Sequence, residues 1–244
     1  MPDASAERGV ATAPRIPVGW RMSSPQAALA FLPPEPLAPD GGGDDLQSRL
    51  VRIRAPYDLR LRVSPPGHKP QGFARIGRES SISEAAFRGL VTPIAPHAQR
   101  RPDVMAVQIA LNLRFITDAP CTMELMPPFL SANFRHWPGP IVSGRFPLTN
   151  WPRPLNAVIE WQDRDRDLVI KRGDDMAYVR FHFEDPAALP EIVEAANTPA
   201  LRRHLARIDD VSSVGRNVRP MFAEAAARRP ARLLVPKETG APAW

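Results

Sequence analysis

The chain has 244 residues, a net charge of +6 and thirty Pro, more than twice the usual Pro share of about 5%. Pro breaks helices and is barred from central strand positions, so the chain is expected to be rich in loops, turns and sheet edges. One Cys, Cys121, excludes an intrachain disulfide, and no apolar run approaches the roughly 20 residues of a membrane span.

In chain order, residues 1–16 are small, polar and charged without a period, and are expected to be disordered. They show no apolar leader region, which points to a cytoplasmic protein. Order begins near Ile16-Pro17-Val18-Gly19-Trp20. Residues 32–36 hold three Pro and read as an extended connector, and Gly41-Gly42-Gly43 as a loop tip. Residues 50–53 read as a short strand. In 57–63, Tyr57, Leu59, Leu61 and Val63 alternate with Asp58, Arg60 and Arg62, the pattern of a strand with one buried and one wet face. Ser81-Ile82-Ser83-Glu84 has capping-box spacing, so 84–90 is expected to be one or two helical turns, and 92–103 a loop.

The densest β-patterning lies in 105–185. Val107, Ile109, Leu111, Leu113 and Phe115 alternate with Gln108, Ala110, Asn112 and Arg114, which predicts one long strand. Cys121, Met123 and Leu125 alternate with Thr122, Glu124 and Met126 until Pro127-Pro128. Leu155, Ala157, Ile159 and Trp161 form a further strand. The charged run 162–167 then reads as a solvated hairpin to Leu168-Val169-Ile170, and the turn at Gly173-Asp174 as the hairpin before a last strand, 176–183. Residues 190–197, 198–209 and 221–229 read as helices. Thr198-Pro199 supplies an N-cap oxygen and a Pro at the first helical position. Nine of the Arg and Lys lie between Leu201 and Lys237 against three carboxylates, so the basic character belongs to the tail.

Few constellations carry chemistry. The five His make no metal-ligand spacing, and one Cys cannot build a zinc finger. His182 and Glu184 share a strand face, a weak ligand pair at most. Cys121 in an apolar strand reads as inert core. No nucleophile elbow or phosphate loop occurs. Asp163-Arg164-Asp165-Arg166-Asp167 alternates sign, as a solvated face does. The remaining candidates lie among the turns of the aromatic and Arg group at 133–161: Arg135, His136, Trp137, Arg145, Asn150 and Trp151, with Asn133 and Arg153 beside them. Trp and Arg dominate binding surfaces, and loops on a rigid β scaffold carry function. The bland alternative is that Trp137 and Trp151 plug the ends of the β core.

Phe115-Ile116-Thr117-Asp118-Ala119-Pro120, Met123 to Pro128, Val142-Ser143-Gly144 and Lys171-Arg172-Gly173-Asp174 resemble tracts of an uncharacterised bacterial and phage family, a domain of unknown function. The resemblance spans about residues 50–185. An Asp-Thr-Asp tract of that family is replaced here by Arg145-Phe146-Pro147. Tyr57-Asp58-Leu59 and Ile170-Lys171-Arg172-Gly173-Asp174-Asp175-Met176-Ala177 are remotely similar to motifs of the deoxyuridine triphosphatases, β-clip trimers that bind a nucleotide and Mg²⁺. The water-activating Asp and the Tyr of their central motif have no counterpart in 141–146, so the resemblance implies a fold more than an activity.

The expected architecture is mainly β, a β-clip or jelly-roll-like sandwich over 17–186, followed by a helical, basic extension over 187–244. The expected function is non-catalytic binding or oligomer building, with no cofactor or metal. A diverged nucleotide hydrolase and a nucleic-acid binder working through the Arg-rich tail are the alternatives. The partners the sequence allows are a second copy of the chain and a small-molecule or protein ligand, with nucleic acid least favoured and no membrane.

Overall fold

A computed structural model of the chain describes residues 13–23, 31–38, 45–64, 72–212 and 218–238. The expected loop tip at Gly41 to Gly43 lies outside them, as do residues 1–12 of the expected disordered start. The strands are β1 (Arg15–Met22), β2 (Glu35–Pro36), β3 (Leu50–Arg54), β4 (Leu59–Val63), β5 (Phe73–Arg75), β6 (Val91–Pro93) and β7 (Met105–Ala110). They continue as β8 (Leu113–Ile116), β9 (Cys121–Met126), β10 (Gly144–Pro147), β11 (Asn156–Trp161), β12 (Leu168–Ile170), β13 (Asp175–Phe183) and β14 (Leu189–Glu194). The α-helices are α1 (Asp45–Ser48), α2 (Glu84–Leu90), α3 (Pro199–Ser212) and α4 (Val218–Ala227). With 38% strand against 19% helix, the protein is mainly β.

Among the described residues, four sheets have the orders β10-β9-β13-β3-β2, β14-β1-β8, β11-β7-β6 and β12-β4-β5. Their apolar faces meet in one sandwich-like core. Val51 and Ile53 of β3, Leu59 and Leu61 of β4, Val107 and Ile109 of β7, Met123 and Leu125 of β9, Ile159 of β11 and Val179 of β13 are all buried there. Each such side chain contributes about 1.5–3 kcal/mol on leaving water, so this core dominates the energetics. Phe115 meets Phe181 edge-on, with centroids 5.1 Å apart, and ties β8 to β13.

The long strand expected over 107–115 is two strands. At Asn112 the backbone turns left-handed (φ 52), which Asn tolerates better than most residues. β7 then pairs with β11, and β8 with β1. The alternation survives the break because the residues on both sides bury the same face. The two expected hairpins are also not hairpins. β11 pairs with β7, β12 with β4, and β13 with β3 and β9, so residues 162–167 and 171–174 pass from one sheet to another. The turn at 171–174 docks on the turn between β3 and β4: Ala55 N donates to Asp174 O at 2.8 Å and Gly173 N to Ala55 O at 2.9 Å. Two chain segments therefore cross the same corner side by side, and the register of β13 on β3 shifts between Asp175 and Ala177 to allow it.

The helix expected over 190–197 is the strand β14, lying parallel to β1 from Arg15↔Leu189 to Trp20↔Glu194. Its partner is remote in sequence, and Pro190 stands near the strand start, where a missing N–H is tolerated. Residues 15 and 16, expected to be disordered, are paired by the same ladder. The β architecture thus runs on past 186, to Glu194. The helix expected at 84–90 forms, but its cap is Ser83, whose Oγ accepts from Ala86 N at 3.2 Å. Ser81 Oγ accepts from Asp58 N instead, at 2.9 Å.

The tail packs onto the β core. Thr198 Oγ1 accepts from Leu201 N at 3.1 Å and caps α3. Leu201, Leu205 and Ile208 are buried at helical spacing, and Leu201 and Leu205 join Ile116, Ala195, Leu233 and Leu234 in a second small core. Gly19 of β1 makes room for this: a Cβ there would stand 2.2 Å from Leu234 Cδ1. No helix among the described residues is long and apolar enough to cross a membrane.

Candidate functional site

The six residues singled out in the sequence do not converge. Trp137 and Trp151 are buried core residues, 6% and 3% exposed. Arg135 and His136 lie exposed on a single 3-10 turn, where Arg135 Nε donates to His136 Nε2 at 3.1 Å. Arg145 on β10 pairs with Glu124 at 3.1 Å, and Asn150 lines a separate cleft.

The segment that carries Trp137 explains its burial. Residues 138–142 run as a strap along β11: Glu160 N donates to Pro140 O and Gln162 N to Pro138 O, both at 3.0 Å, and Ile141 bridges Ile159. A Cβ on Gly139 would lie 1.8 Å from Glu160 O, so only Gly permits this approach. With the strap held against the sheet, the Trp137 ring is directed into the core, edge-on to Phe134 at 5.4 Å.

The cleft at Asn150 has a volume of about 550 Å³ and is lined by Thr122, Thr149, His182, Phe183 and Glu184 among others. His182 Nε2 lies 2.8 Å from Glu124 Oε2. Burial pushes the Glu124 carboxyl up, but hydrogen bonds from His182 and Arg145 outweigh it and hold the group below its ordinary range. Cys121 also borders the cleft. Burial pushes its thiol up to about 12, against a smaller opposing backbone hydrogen bond involving His182, so it stays protonated and unreactive. His182 is engaged by Glu124, and no group of three or more His, Cys, Asp or Glu able to hold a metal ion occurs among the described residues.

A second groove, of about 470 Å³, has the better-built floor. Alternation along β11 sends Ala157, Ile159 and Trp161 into the core and Asn156, Val158 and Glu160 to the opposite face. In register with them on β7, Gln108 stands opposite Val158, and Ala106 opposite Glu160. Ile94, Val142 and Phe146 add apolar lining to this polar floor. Asn156 and Glu160 are four residues apart, about 13 Å along a strand.

At the Glu160 end, Arg100 donates from Nε and Nη2 to the two carboxylate oxygens at 2.9 and 2.7 Å. The Glu160 side chain is 3% exposed, and those hydrogen bonds hold it below the ordinary carboxylate range despite its burial. At the Asn156 end stand Arg153 and Asp209. Asp209 is held by Arg114, which also donates to Pro152 O at 3.4 Å. Arg153 as a residue is exposed, but its guanidinium sits over the Phe146 ring, 4.4 Å from its centroid, and partial desolvation there lowers its pKa. Among the described residues it has no carboxylate partner, and the half-buried amides of Gln108 and Asn156 have no hydrogen-bond partner.

Arg153 was legible in the sequence as a member of the turn-borne aromatic and Arg group. Gln108 stood out only as a polar alternate. Asn156 and Glu160 carried a signal in the wet positions of a strand otherwise read for its apolar ones. Which strands share that wet face was set by pairing between residues about fifty apart.

The tail is less free than its charge suggests. Arg229 donates to Asp118 Oδ1, Thr117 O and Thr149 O, each at 2.7 Å. Arg228 pairs with Glu224, and Lys237 with Glu194. In comparisons with known proteins, no family model matches the chain and no curated sequence is significantly similar to it.

Proposed function

We propose that this chain is a non-catalytic binding domain, and that its ligand lies in the groove over β7 and β11. The observation that carries this reading is Arg153. It is a guanidinium held on an aromatic ring at the groove wall, without a carboxylate partner among the described residues, beside two amides that are likewise unpartnered. Polar groups held in place at an apolar-lined concavity of this size are what a small-molecule site requires. Catalysis has less support: among the described residues, the one His–carboxylate pair at a cleft, His182 with Glu124, borders a protonated thiol and no evident nucleophile.

The test is a screen of chemically diverse small molecules by thermal shift and ligand-observed NMR, on the wild type and on Val158→Trp, which fills the groove floor. Compounds that bind the wild type and lose affinity in the variant support the reading. Binding that is indifferent to Val158→Trp throughout the screen overturns it. Nucleoside triphosphates with Mg²⁺ belong in the screen, followed for turnover. Hydrolysis abolished by substitution of a cleft residue would replace this reading with that of a nucleotide hydrolase.

A further inference from the structure

Resting on that groove reading, we infer that the ligand is a small amphipathic carboxylic acid, with its carboxylate on Arg153 and its apolar body along Val158, Val142 and Ile94 toward the Arg100–Glu160 pair.

Charge comes first. Arg100 is neutralised by Glu160, and Arg114 by Asp209, which leaves Arg153 as the one uncompensated charge among the described groove residues. One cation matches a monoanion. A phosphate monoester carries about −1.5 to −2 at neutral pH, more negative charge than one free cation balances.

Geometry comes second. One side of the Arg153 guanidinium is covered by the Phe146 ring, 4.4 Å from its centroid, so the N–H groups turned away from the ring remain to donate. A carboxylate accepts two such bonds side by side. The ring contact also fixes the fork before the ligand arrives, which lowers the ordering cost of binding. Asn156, next but two along the chain, and Gln108 can donate amide N–H groups to the same oxygens or to a polar substituent.

The lining comes third. From Asn156 to Glu160 the floor runs about 13 Å. Between those ends it presents Val158, with Val142 and Ile94 among the lining side chains and no further unpaired charge among the described residues. An apolar body of comparable length fits that path. Its far end meets a carboxylate already satisfied by Arg100, which offers a second anion nothing.

Isothermal titration of the full chain with decanoate, decanamide and decyl phosphate tests this, with Arg153→Gln, Arg153→Lys and Val158→Trp alongside. Decanoate is expected to bind the wild type at least about tenfold more tightly than decanamide, the scale of a charge-assisted hydrogen bond. It should also bind more tightly than decyl phosphate. Arg153→Gln should bring the acid and the amide to within about twofold of each other, while Arg153→Lys keeps part of the preference. Equal affinity for acid and amide in the wild type, a preference for the phosphate, or a preference that survives Arg153→Gln each overturns the inference. If decanoate fails while a neutral compound from the screen binds and is lost in Val158→Trp, the groove stands and the carboxylate assignment falls. If nothing is lost in Val158→Trp, the groove reading itself falls.

Discussion

Arg114 on β8 and Asp209 on α3 are joined through a single nitrogen: Arg114 Nη2 donates to both carboxylate oxygens, at 2.8 and 2.7 Å. The Arg114 side chain is 6% exposed, while Asp209 is 46% exposed. The pair fastens α3 to the β core and neutralises a buried cation. Asp209→Ala strands that cation, at a cost of about 1–3 kcal/mol, reduced from the fully buried case because water reaches the Asp side. Thermal unfolding should show a fall of several degrees. The double variant Arg114→Met with Asp209→Ala should recover part of it, because the stranded charge is then gone.

Trp137→Ala should destabilise by about 3–5 kcal/mol, as large-to-small changes in a close-packed core do. Trp137→Phe should cost less, about 1–2 kcal/mol, because the buried indole Nε1 has no hydrogen-bond acceptor to lose among the described residues. Arg135→Ala, two positions away on the exposed turn, should stay within about 0.5 kcal/mol of wild type. Urea denaturation of the three variants separates a core role for the ring from a surface role for the turn.

Gly139→Ala is expected to cost about 2–4 kcal/mol. The new Cβ would meet a backbone oxygen, Glu160 O, and the strap would have to lift off β11 and weaken two backbone hydrogen bonds. Gly89→Ala in α2 is the control: nothing lies within 4 Å of its Cβ position, and the helix gains about 0.5–1 kcal/mol. Opposite signs from the two substitutions in denaturant melts would match this expectation, and equal effects would contradict it.

His204 on α3 is 5% exposed, and its Nε2 has no hydrogen-bond partner among the described residues. Desolvation, reinforced by Arg229 and Arg207, lowers its pKa. Between that lowered value and the unfolded value of about 6.5, the unfolded chain binds more protons than the folded one. The stability contributed by neutral His204 is therefore complete above about pH 6.5 and is lost as pH falls through the folded pKa. His204→Leu should flatten the loss of stability on acidification from neutral pH. An unchanged pH profile would show that the ring is already solvated in the folded state.

Much of the fold was legible in the chain itself. The period-two alternation of 57–63, 121–126 and 176–183 marked strands and their buried faces, because a strand's inside and outside are written in adjacent residues. Thr198-Pro199 marked the start of α3 for an equally local reason. Pairing was not legible. The left-handed turn at Asn112, the sheet-to-sheet passages at 162–167 and 171–174, and β14 lying on β1 all depend on partners remote in sequence, and a segment's own composition does not name them. The same division holds for the groove. The Arg and aromatic content of 133–161 drew attention to a group of residues that packing then divided, sending Trp137 and Trp151 inward and leaving Arg153 on Phe146 at the groove wall. Side-chain type is a property of the sequence. Which face of which sheet that side chain reaches is set by strand pairing, and only the tertiary structure decides it.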